Sequence, residues 1–319
     1  MKQLVVLSGK GGVGKTIITA AFAHLAGSSS VWEQTVIVDA DVDAANLEFV
    51  LSPQIIHRED FQGGRIAEIN QAACSGCGDC QDLCRFDAIK QMGKNEGVFI
   101  IDPIACDGCA ACMYQCPGAA IAMTDQIVGE CYRSTSPYGP LFHAELRPAQ
   151  ENSGKLVALI KQRARQLAIE EQCDLILVDG PPGIGCPVIA AASGVDLALI
   201  VVEPTVSGVS DMRRILQTID HFGSTSIVCI NKADLNQPIA DQIELICQQV
   251  NIPLAGRIPY DDQVIDSIVA GEPITLFSPD ARVSQELVEI WKNVSRTLEG
   301  KPEQVQNLIS TSRIGITSA

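Results

Sequence analysis

The sequence predicts an α/β protein with a mostly parallel, doubly wound sheet, interrupted by a small cysteine-rich segment. Three observations predict this organisation. Near-continuous apolar runs of strand length alternate with amphipathic helical patterns over most of the chain, which is typical of a parallel sheet covered on both faces. A glycine-rich loop separates the first apolar run from an Ala-rich helical stretch. Eight of the 13 cysteines lie between residues 74 and 116.

Predicted strands and helices alternate along the chain. The first predicted strand is QLVVLS, followed by the loop GKGGVGKT, the helix IITAAFAHLA and a second strand, TVIVDAD. Beyond the cysteine-rich segment, Ser153 is predicted to cap a helical pattern, GKLVALIKQRARQLAIEE. Strand-type runs then alternate with helical patterns to the end of the domain. The predicted strands are 175–183, 197–205, 225–234 and 254–261, and the predicted helices are 208–222, 237–250, 262–270 and 282–298.

The residue composition changes at two points along the chain, and these changes predict the domain boundaries. Between about Phe61 and about Val128, Gly, Cys and Asp increase and long apolar runs disappear. We therefore predict a discontinuous α/β domain over 1–60 and 129–300, with an inserted domain at 61–128. The stretch 129–152 is rich in Gly, Pro and Ser and predicts a connecting loop. Residues 301–319 predict a polar C-terminal tail.

Composition excludes several classes of function. The 319 residues are 46% apolar and 19% charged, as in a soluble globular protein, and the net charge is -15. Such an acidic surface repels phosphate backbones, so we expect no nucleic-acid partner. No apolar stretch approaches the roughly 20 residues of a membrane span. The apolar start is too short for a secretory leader, so we expect a cytoplasmic protein, in which cysteines indicate metal binding or catalysis.

The segment 9–16 matches the phosphate-binding pattern G-x-x-x-x-G-K-[ST]. Glycines there let backbone N–H groups surround phosphate oxygens, and the following helix presents its positive end to them. Lys15 is expected to reach the β- and γ-phosphates, and Thr16 and Asp179 to hold Mg²⁺. A glycine-rich turn is the alternative, but the flanking strand and helix favour the phosphate loop. The remaining predicted phosphate-binding residues are Gly11, Gly12, Val13 and Gly14.

Three acids close the second predicted strand. Asp39, Asp41 and Asp43 alternate there, and one of them is expected to orient the attacking water. Asp is also a common turn residue, so the individual assignment stays open on spacing alone.

With Lys10, the loop reads KGGVGKT and resembles the deviant loop of the MinD/ParA/Mrp ATPases, a group that includes the nitrogenase iron protein. The resemblance covers roughly 1–60 and 150–300. It implies that Lys10 reaches into the ATP site of a partner subunit, so that ATP closes a face-to-face homodimer or heterodimer. It also implies that Asp41 belongs to the first switch and that D-G-P-P-G at 179–183 is the second switch.

The same resemblance assigns the adenine side of the site. Asn231 in N-K-A-D matches the asparagine that contacts adenine, and I-P-Y-D at 258–261 matches the second adenine-side loop, with Pro259 and Asp261. One departure concerns the C-terminus. The tail QVQNLISTSRIGITSA has one Arg and no apolar stripe, unlike the membrane-binding helix of MinD, so we expect no stable membrane association.

The cysteine-rich segment contains one internal repeat with an offset of 32 residues. Each copy has the spacing C-x2-C-x2-C-x3-C, which resembles the bacterial two-cluster ferredoxins, and the resemblance covers about 62–127. In those proteins the fourth cysteine of each run binds the other cluster. The resemblance therefore assigns one 4Fe-4S cluster to Cys74, Cys77, Cys80 and Cys116, and a second to Cys84, Cys106, Cys109 and Cys112.

The spacing of the cysteines also bears on the choice of metal. Structural zinc is the alternative metal, but it needs four ligands, usually as two CxxC pairs, and not two runs of four. Arg85 follows Cys84 where two-cluster ferredoxins usually have Pro, and it is either a surface charge or an influence on the cluster potential.

Cys186 follows Asp179 at the distance of the cluster-bridging cysteine of the nitrogenase iron protein, and Cys131 is a second such candidate. The alternative for both is a buried structural thiol.

These features together predict a slow, dimer-dependent ATPase that uses ATP/ADP, Mg²⁺ and two 4Fe-4S clusters. Three functions remain open. The first is energy-coupled electron transfer to an unknown redox partner, the second is iron–sulfur assembly as in Mrp-type ATPases, and the third is MinD-like positioning with redox-sensing clusters. The stable ferredoxin spacing favours the first, because a carrier needs labile, exposed ligands. The absence of a membrane helix in the tail weakens the third.

Overall fold

The computed structural model describes residues 1–93, 97–147 and 152–300. The predicted tail, 301–319, therefore lies outside the described residues. The strands of the described chain are β1 (Lys2–Ser8), β2 (Thr35–Asp39), β3 (Gln54–Ile69), β4 (Ile89–Gln91), β5 (Phe99–Ile101), β6 (Ile121–Ser136), β7 (Gly139–Leu146), β8 (Leu175–Pro182), β9 (Leu197–Val202), β10 (Thr225–Asn231) and β11 (Leu254–Ile258).

The helices lie mostly between these strands. They are α1 (Lys15–Gly27), α2 (Glu48–Leu51), α3 (Asp79–Leu83), α4 (Ala111–Gln115), α5 (Ser153–Glu170), α6 (Cys186–Ala192), α7 (Val206–His221), α8 (Gln237–Gln249), α9 (Gln263–Ala270), α10 (Ile274–Phe277) and α11 (Arg282–Leu298). Within the described residues, no helix combines the length and the apolar character needed to cross a membrane.

Nine strands form one sheet in the order β11-β10-β9-β1-β8-β2-β7-β6-β3. The first seven are mutually parallel, β6 runs antiparallel to β7, and β3 runs antiparallel to β6. The predicted mostly parallel α/β fold is thus confirmed. The strands β8 to β11 begin at the predicted residues and end one to three residues earlier, because the last predicted residues form loops at the carboxyl edge of the sheet.

Helices cover both faces of the sheet, which explains why its strands are apolar without interruption. Leu4 and Val6 of β1 belong to one hydrophobic core, whereas Val5 and Leu7 belong to the other. Side chains of α5, α6, α7 and α8 complete the core that contains Val5, and those of α1, α2, α10 and α11 complete the opposite core. Strands buried on both faces lose the polar–apolar alternation of a half-exposed sheet.

The predicted connecting loop at 129–152 is wrong for most of its length. Residues 121–136 and 139–146 form the antiparallel hairpin of β6 and β7, and 148–151 lie outside the described residues. Part of the Gly, Pro and Ser signal comes from the hairpin turn, where Gly139 has a φ of 131°. The flanking strand residues Cys131, Leu141 and Ala144 are buried in the sheet. Averaging composition over the whole stretch concealed the two strands.

The strands β3 and β6 form a long two-stranded ribbon that leads from the edge of the sheet into the cysteine-rich segment. Each has 16 residues, and they pair from Gln54–Thr135 to Ile69–Ile121. Residues 61 and 128 lie inside this ribbon, so the predicted boundaries of the insert fall on continuous strands. The register shifts beside Phe61 and Gln62, near the root of the ribbon. The division into an α/β domain and an insert stays a prediction.

The 32-residue repeat is also a repeat of backbone structure. The helix α4 follows α3 at that offset, and each is preceded by a residue with left-handed φ. The two halves contact each other reciprocally. The Asn70 N–H donates to the Ala120 carbonyl at 2.8 Å, and the equivalent Asp102 N–H donates to the Ala88 carbonyl at 2.7 Å. The cysteine-rich segment therefore has approximate two-fold symmetry.

We predict that Gly129→Ala destabilises the fold by about 1–3 kcal/mol, because overpacking forces backbone shifts. Gly129 pairs with Leu146 of β7, and a Cβ atom at Gly129 would lie 2.6 Å from the Glu145 carbonyl oxygen. The measurement is the urea midpoint. Gly27→Ala at the end of α1 is the control, because a Cβ there meets nothing within 4 Å. Equal losses of stability in the two variants would contradict the prediction.

Candidate functional site

The phosphate loop lies between β1 and α1, at the carboxyl edge of the sheet. Gly12 and Gly14 have left-handed φ values of 78° and 98°, which only glycine adopts readily. A Cβ atom at Gly14 would also lie 2.4 Å from the Asn231 side-chain nitrogen, so a larger residue does not fit. The Ser8 hydroxyl donates to the Lys10 carbonyl oxygen at 2.7 Å and holds the start of the loop. This strand–loop–helix arrangement suits a bound phosphate.

The two predicted Mg²⁺ ligands are adjacent. The Thr16 hydroxyl donates to the Asp179 carboxylate at 2.7 Å. Asp179 reaches this position because β8 pairs in parallel with β1, with Asp179 opposite Val6. Lys15 and Asp179 are both buried. A hydroxyl and a carboxylate at the start of the phosphate-loop helix are the oxygen ligands that Mg²⁺ takes in phosphate-loop ATPases.

Thr19 is a part of this site that the sequence did not predict. Its hydroxyl is fully buried, 3.1 Å from the second Asp179 oxygen and 2.9 Å from the Lys15 carbonyl oxygen. Thr16 and Thr19 therefore contact different oxygens of the Asp179 carboxylate. The signal in the sequence was a polar residue one helical turn after Lys15, within the apolar run from Ile17 to Ala23.

Three carboxyl groups share this part of the site. Burial raises the pKa of Asp179, and the nearby Lys15 cation opposes that rise. Burial, and then the charge of Asp179, raise the pKa of Asp39 well above its usual range. Burial also raises the pKa of Asp41, again opposed by Lys15. Like charges gathered in a desolvated site create a negative potential that a divalent cation would neutralise.

The structure distinguishes the three acids that follow β2. The Asp39 carboxylate accepts backbone N–H bonds from Asp41 at 3.1 Å, Asn46 at 3.1 Å and Leu47 at 3.0 Å, so it holds the loop in shape. Asp43 is exposed, whereas Asp41 is half-buried and within electrostatic range of Lys15. Asp41 is thus the acid best placed to face a nucleotide, although its role stays a prediction.

A cavity of about 330 Å³ adjoins the phosphate loop on the side of β10 and β11. It brings together residues from distant parts of the sequence: its lining includes Gly12, Gly14, Asn231, Pro259 and Asp261. The Asn231 side-chain amide donates to the Val13 carbonyl oxygen at 2.7 Å, which ties the end of β10 to the phosphate loop. The predicted adenine-side residues therefore surround one cavity.

Two neighbouring residues reinforce this cavity and were not predicted. The Lys232 ammonium donates to the Gly12 carbonyl oxygen at 3.3 Å and forms an ion pair with Glu203. Tyr260 lines the cavity, and its backbone N–H donates to the Asp234 carboxylate at 2.8 Å. Lys232 and Tyr260 belong to the motifs N-K-A-D and I-P-Y-D. Their partners come from the phosphate loop, the end of β9 and the end of β10, which only the packed sheet brings together.

Comparison with known proteins agrees with this geometry. A family model of the CobQ/CobB/MinD/ParA nucleotide binding domain matches residues 4–274. The chain belongs to this family. Among its relatives, an uncharacterised protein of Methanocaldococcus jannaschii is 34% identical over 92% of this chain and 96% of its own length. The septum site-determining protein MinD of Synechocystis is 24% identical over 93% of this chain and 89% of its own length.

Solved structures show the same CobQ/CobB/MinD/ParA fold. A chain of the MinC:MinD cell division protein complex of Aquifex aeolicus matches with a TM-score of 0.57 at 19% identity, over 99% of this chain and all of that chain. MinD of Pyrococcus horikoshii, solved with Mg-ADP, matches with a TM-score of 0.54 at 17% identity, over 92% of this chain and 96% of that chain. At such low identity these likenesses concern the fold alone.

Lys10 and the cysteines of the CobQ/CobB/MinD/ParA core occupy different environments. Lys10 is exposed on the phosphate loop, as a residue that acts on a partner subunit would need to be. Cys186 is exposed at the first residue of α6. Cys131 is buried in β6, and burial raises the pKa of its thiol to about 12, so it stays protonated at neutral pH. The remaining core cysteines are buried: Cys173, Cys229 and Cys247.

One of the two predicted cluster sets surrounds a single cavity. A cavity of about 360 Å³ is lined by four thiols of the crossed set, Cys84 with Cys106, Cys109 and Cys112. Its other lining side chains are largely apolar, including Leu83, Phe86, Ile89 and Ile101. Arg85 lies at the same cavity and is exposed. The fourth cysteine of the first run therefore lies with the first three of the second run.

Three thiols of the other predicted set are also neighbours. Burial raises the pKa of Cys80, and the charges of Cys77 and Cys74 add to that rise, so these three thiols are near neighbours. The Cys116 sulfur accepts the Ala120 N–H at 3.3 Å. In the part of the chain that the structure describes, no three or more His, Cys, Asp or Glu side chains are grouped so that they could hold one metal ion.

We predict that Thr19→Val destabilises the protein by about 1–2 kcal/mol, because the buried Asp179 carboxylate loses a hydrogen bond. The loss should shrink as the pH falls through about 6, the folded-state pKa of Asp179, because the neutral carboxyl needs that donor less. The measurement is the urea midpoint at a series of pH values.

Two variants serve as controls for this prediction. Thr19→Ser keeps the hydroxyl and should retain most of the stability. Thr218→Val on α7 removes an equivalent bond to a carbonyl four residues earlier, at 3.0 Å, but from an exposed hydroxyl, and it should cost little. A pH-independent loss in Thr19→Val would contradict the role of Asp179.

Proposed function

We propose that this chain is an ATP-hydrolysing switch protein whose inserted module holds two 4Fe-4S clusters and couples nucleotide state to electron transfer. The cavity lined by Cys84, Cys106, Cys109 and Cys112 is the observation that carries this proposal. Such a crossed set is the ligand set of a cluster in two-cluster ferredoxins. The clusters, when bound, would supply one-electron storage.

The donor set fits a cluster better than a single metal ion. Each iron of a four-iron cluster takes one thiolate, so the four thiols lie around the cluster. A structural zinc ion draws its four ligands onto one atom. Four thiols here line one cavity whose other walls are largely apolar, and that arrangement supports the cluster.

The approximate two-fold symmetry extends this proposal to the second cluster. The N–H groups of Cys74 and Cys106 each donate at 3.0 Å, to the carbonyls of Asn70 and Asp102 respectively. Backbone equivalence at this level supports an equivalent cluster site in the other half. The ligands there would be Cys74, Cys77, Cys80 and Cys116.

The residues of the phosphate loop would bind and hydrolyse ATP. The loop N–H groups and Lys15 would hold the phosphates, Thr16 and Asp179 would hold Mg²⁺, and Asp41 would orient the attacking water. Asn231, Pro259 and Asp261 would contact the adenine. Lys10 would complete the site of a second subunit, so that turnover depends on an ATP-driven dimer.

A hydrogen bond at the root of the ribbon supports coupling between the two sites. Val42 stands next to Asp41, and its carbonyl oxygen accepts the Leu146 N–H at 3.2 Å. Leu146 pairs with Gly129 of β6, and β6 continues into the cysteine-rich segment. The loop expected to move on loss of the γ-phosphate is thus bonded to the strand pair that supports the cluster ligands.

Iron–sulfur assembly is a second candidate function, because Cys77 and Cys109 are exposed and a delivered cluster needs accessible ligands. The partly buried, apolar setting of the remaining thiols favours resident clusters instead. The third candidate function is MinD-like positioning with redox-sensing clusters. It is supported by the similarity to MinD alone.

We predict that anaerobically purified protein contains about eight irons and eight acid-labile sulfides per chain, from two four-iron clusters. Cys84→Ser should perturb the cluster bound by Cys106, Cys109 and Cys112 and spare the other one, which EPR of the reduced protein can distinguish. Cys186→Ser, at an exposed thiol outside the module, should keep the full iron content. Zinc as the main metal in anaerobic preparations would rule out the clusters.

We predict that the nucleotide state shifts the cluster potentials. If ATP changes the potential, reduction must change ATP affinity by the same free energy, and about 59 mV corresponds to a tenfold change for one electron. The measurement is a redox titration followed by EPR, with ADP and with an ATP analogue, using Asp41→Ala to prevent turnover. Identical midpoints, together with ATP affinity unchanged on reduction, would remove the case for energy-coupled electron transfer.

A further inference from the structure

An apolar surface lies beside the nucleotide cavity, on α9 and the short helix α2. We name it the α2–α9 patch and define it by Phe49, Ile265, Ile268 and Val269. Phe49 is 60% exposed, Ile265 55% and Val269 84%. Three of the four share one face of α9, because residues three and four apart are neighbours on a helix. Exposed apolar groups gathered in this way mark interaction sites in proteins.

The two helices of the patch are held against each other. The Ser52 hydroxyl, directly after α2, donates to the Gly271 carbonyl oxygen at 3.1 Å, directly after α9. A Cβ atom at Gly271 would lie 3.4 Å from the Phe49 carbonyl oxygen, so the backbones approach closely there. Phe49 therefore extends the apolar face of α9 across this junction.

Acidic residues lie along the α9 side of the patch. The segment 259–280, which contains α9, has five acidic residues and no Lys, Arg or His. Asp266 and Glu272 are exposed beside the apolar face of α9. The surface therefore has an apolar centre and a negative rim.

We infer that the α2–α9 patch docks a basic, amphipathic helical segment of a partner protein. Apolar side chains of that segment would cover Phe49 and Val269, and its Lys or Arg side chains would meet the acidic rim. A second copy of this chain fits less well, because an isologous contact would place two acidic rims together. An anionic membrane surface would be repelled for the same reason.

The patch is also the outer wall of the nucleotide cavity. Ile265 and Ile268 line that cavity, and α2 follows the loop that contains Asp41. A docked segment would therefore touch elements on two sides of the nucleotide. This inference goes beyond the proposed function and does not depend on the clusters.

The test uses the full chain and a labelled synthetic peptide of leucine and lysine, spaced to give a helix with one apolar and one basic face. Fluorescence anisotropy gives its Kd for each variant. Phe49→Ser combined with Val269→Ser should weaken binding by about tenfold or more, since every 1.4 kcal/mol is tenfold. Asp266→Asn combined with Glu272→Gln should weaken it and reduce its dependence on salt.

Matched controls separate docking from general attraction to an acidic protein. Ile169→Ser on α5 and Leu245→Ser on α8 remove side chains that are 61% and 53% exposed elsewhere, and they should leave the Kd unchanged, as should Asp220→Asn on α7. A urea midpoint for every variant excludes unfolding. Equal affinity of all variants, or of a scrambled peptide, overturns the inference.

Two further outcomes would assign the patch to another occupant and so overturn the inference as well. Self-association that Val269→Ser abolishes, seen by sedimentation without peptide, would identify a second copy. Binding to vesicles of anionic lipid that Phe49→Ser abolishes would identify a membrane surface.

Discussion

The buried Asp179 carboxylate is the constraint on which the rest of the molecule depends. It joins α1 to β8 through Thr16 and Thr19, and it lies opposite Asp39 in the pairing of β8 with β2. Two carboxylates placed side by side in a desolvated position cost free energy unless donors and cations compensate. For Asp179, the compensation comes from the Lys15 cation and the hydroxyls of the two threonines. For Asp39, it comes from the hydrogen bonds that its carboxylate accepts from backbone N–H groups. The negative charge that remains at this site suits a divalent cation, and the cation in turn suits a nucleotide phosphate.

The position of the cysteine-rich segment follows from the order of the strands. Strand β7 adds in parallel beside β2, and β6 and β3 continue the sheet antiparallel at its edge. Pairing with β3 satisfies the outer side of β6, and β3 becomes the edge strand of the sheet. The insertion therefore leaves the parallel strands undisturbed. It also brings the root of the ribbon next to the loop of Asp41.

Charge and exposure divide the surface of the molecule into regions with different chemistry. The cysteine cavity is apolar inside, whereas the α2–α9 patch is apolar with an acidic rim. A net charge of -15 favours basic partners generally, so selectivity among them requires shape and apolar contact at a defined place. The patch adjoins the cavity beside the phosphate loop through Ile265 and Ile268, whereas the cysteine-rich segment is joined to the sheet by the ribbon of β3 and β6.

The sequence alone determined what depends on residues close together in the chain. The phosphate loop, the alternation of strands and helices and the 32-residue cysteine repeat are local patterns, and the structure reproduces each of them. Only the tertiary structure identified Thr19, whose bond to Asp179 spans 160 residues, and Lys232, whose bond to Gly12 spans 220. It also placed the hairpin of β6 and β7, where burial overrode a turn-rich composition. Local patterns specify elements because propensity and periodicity act over a few residues, whereas burial and long-range contacts exist only once the chain has packed.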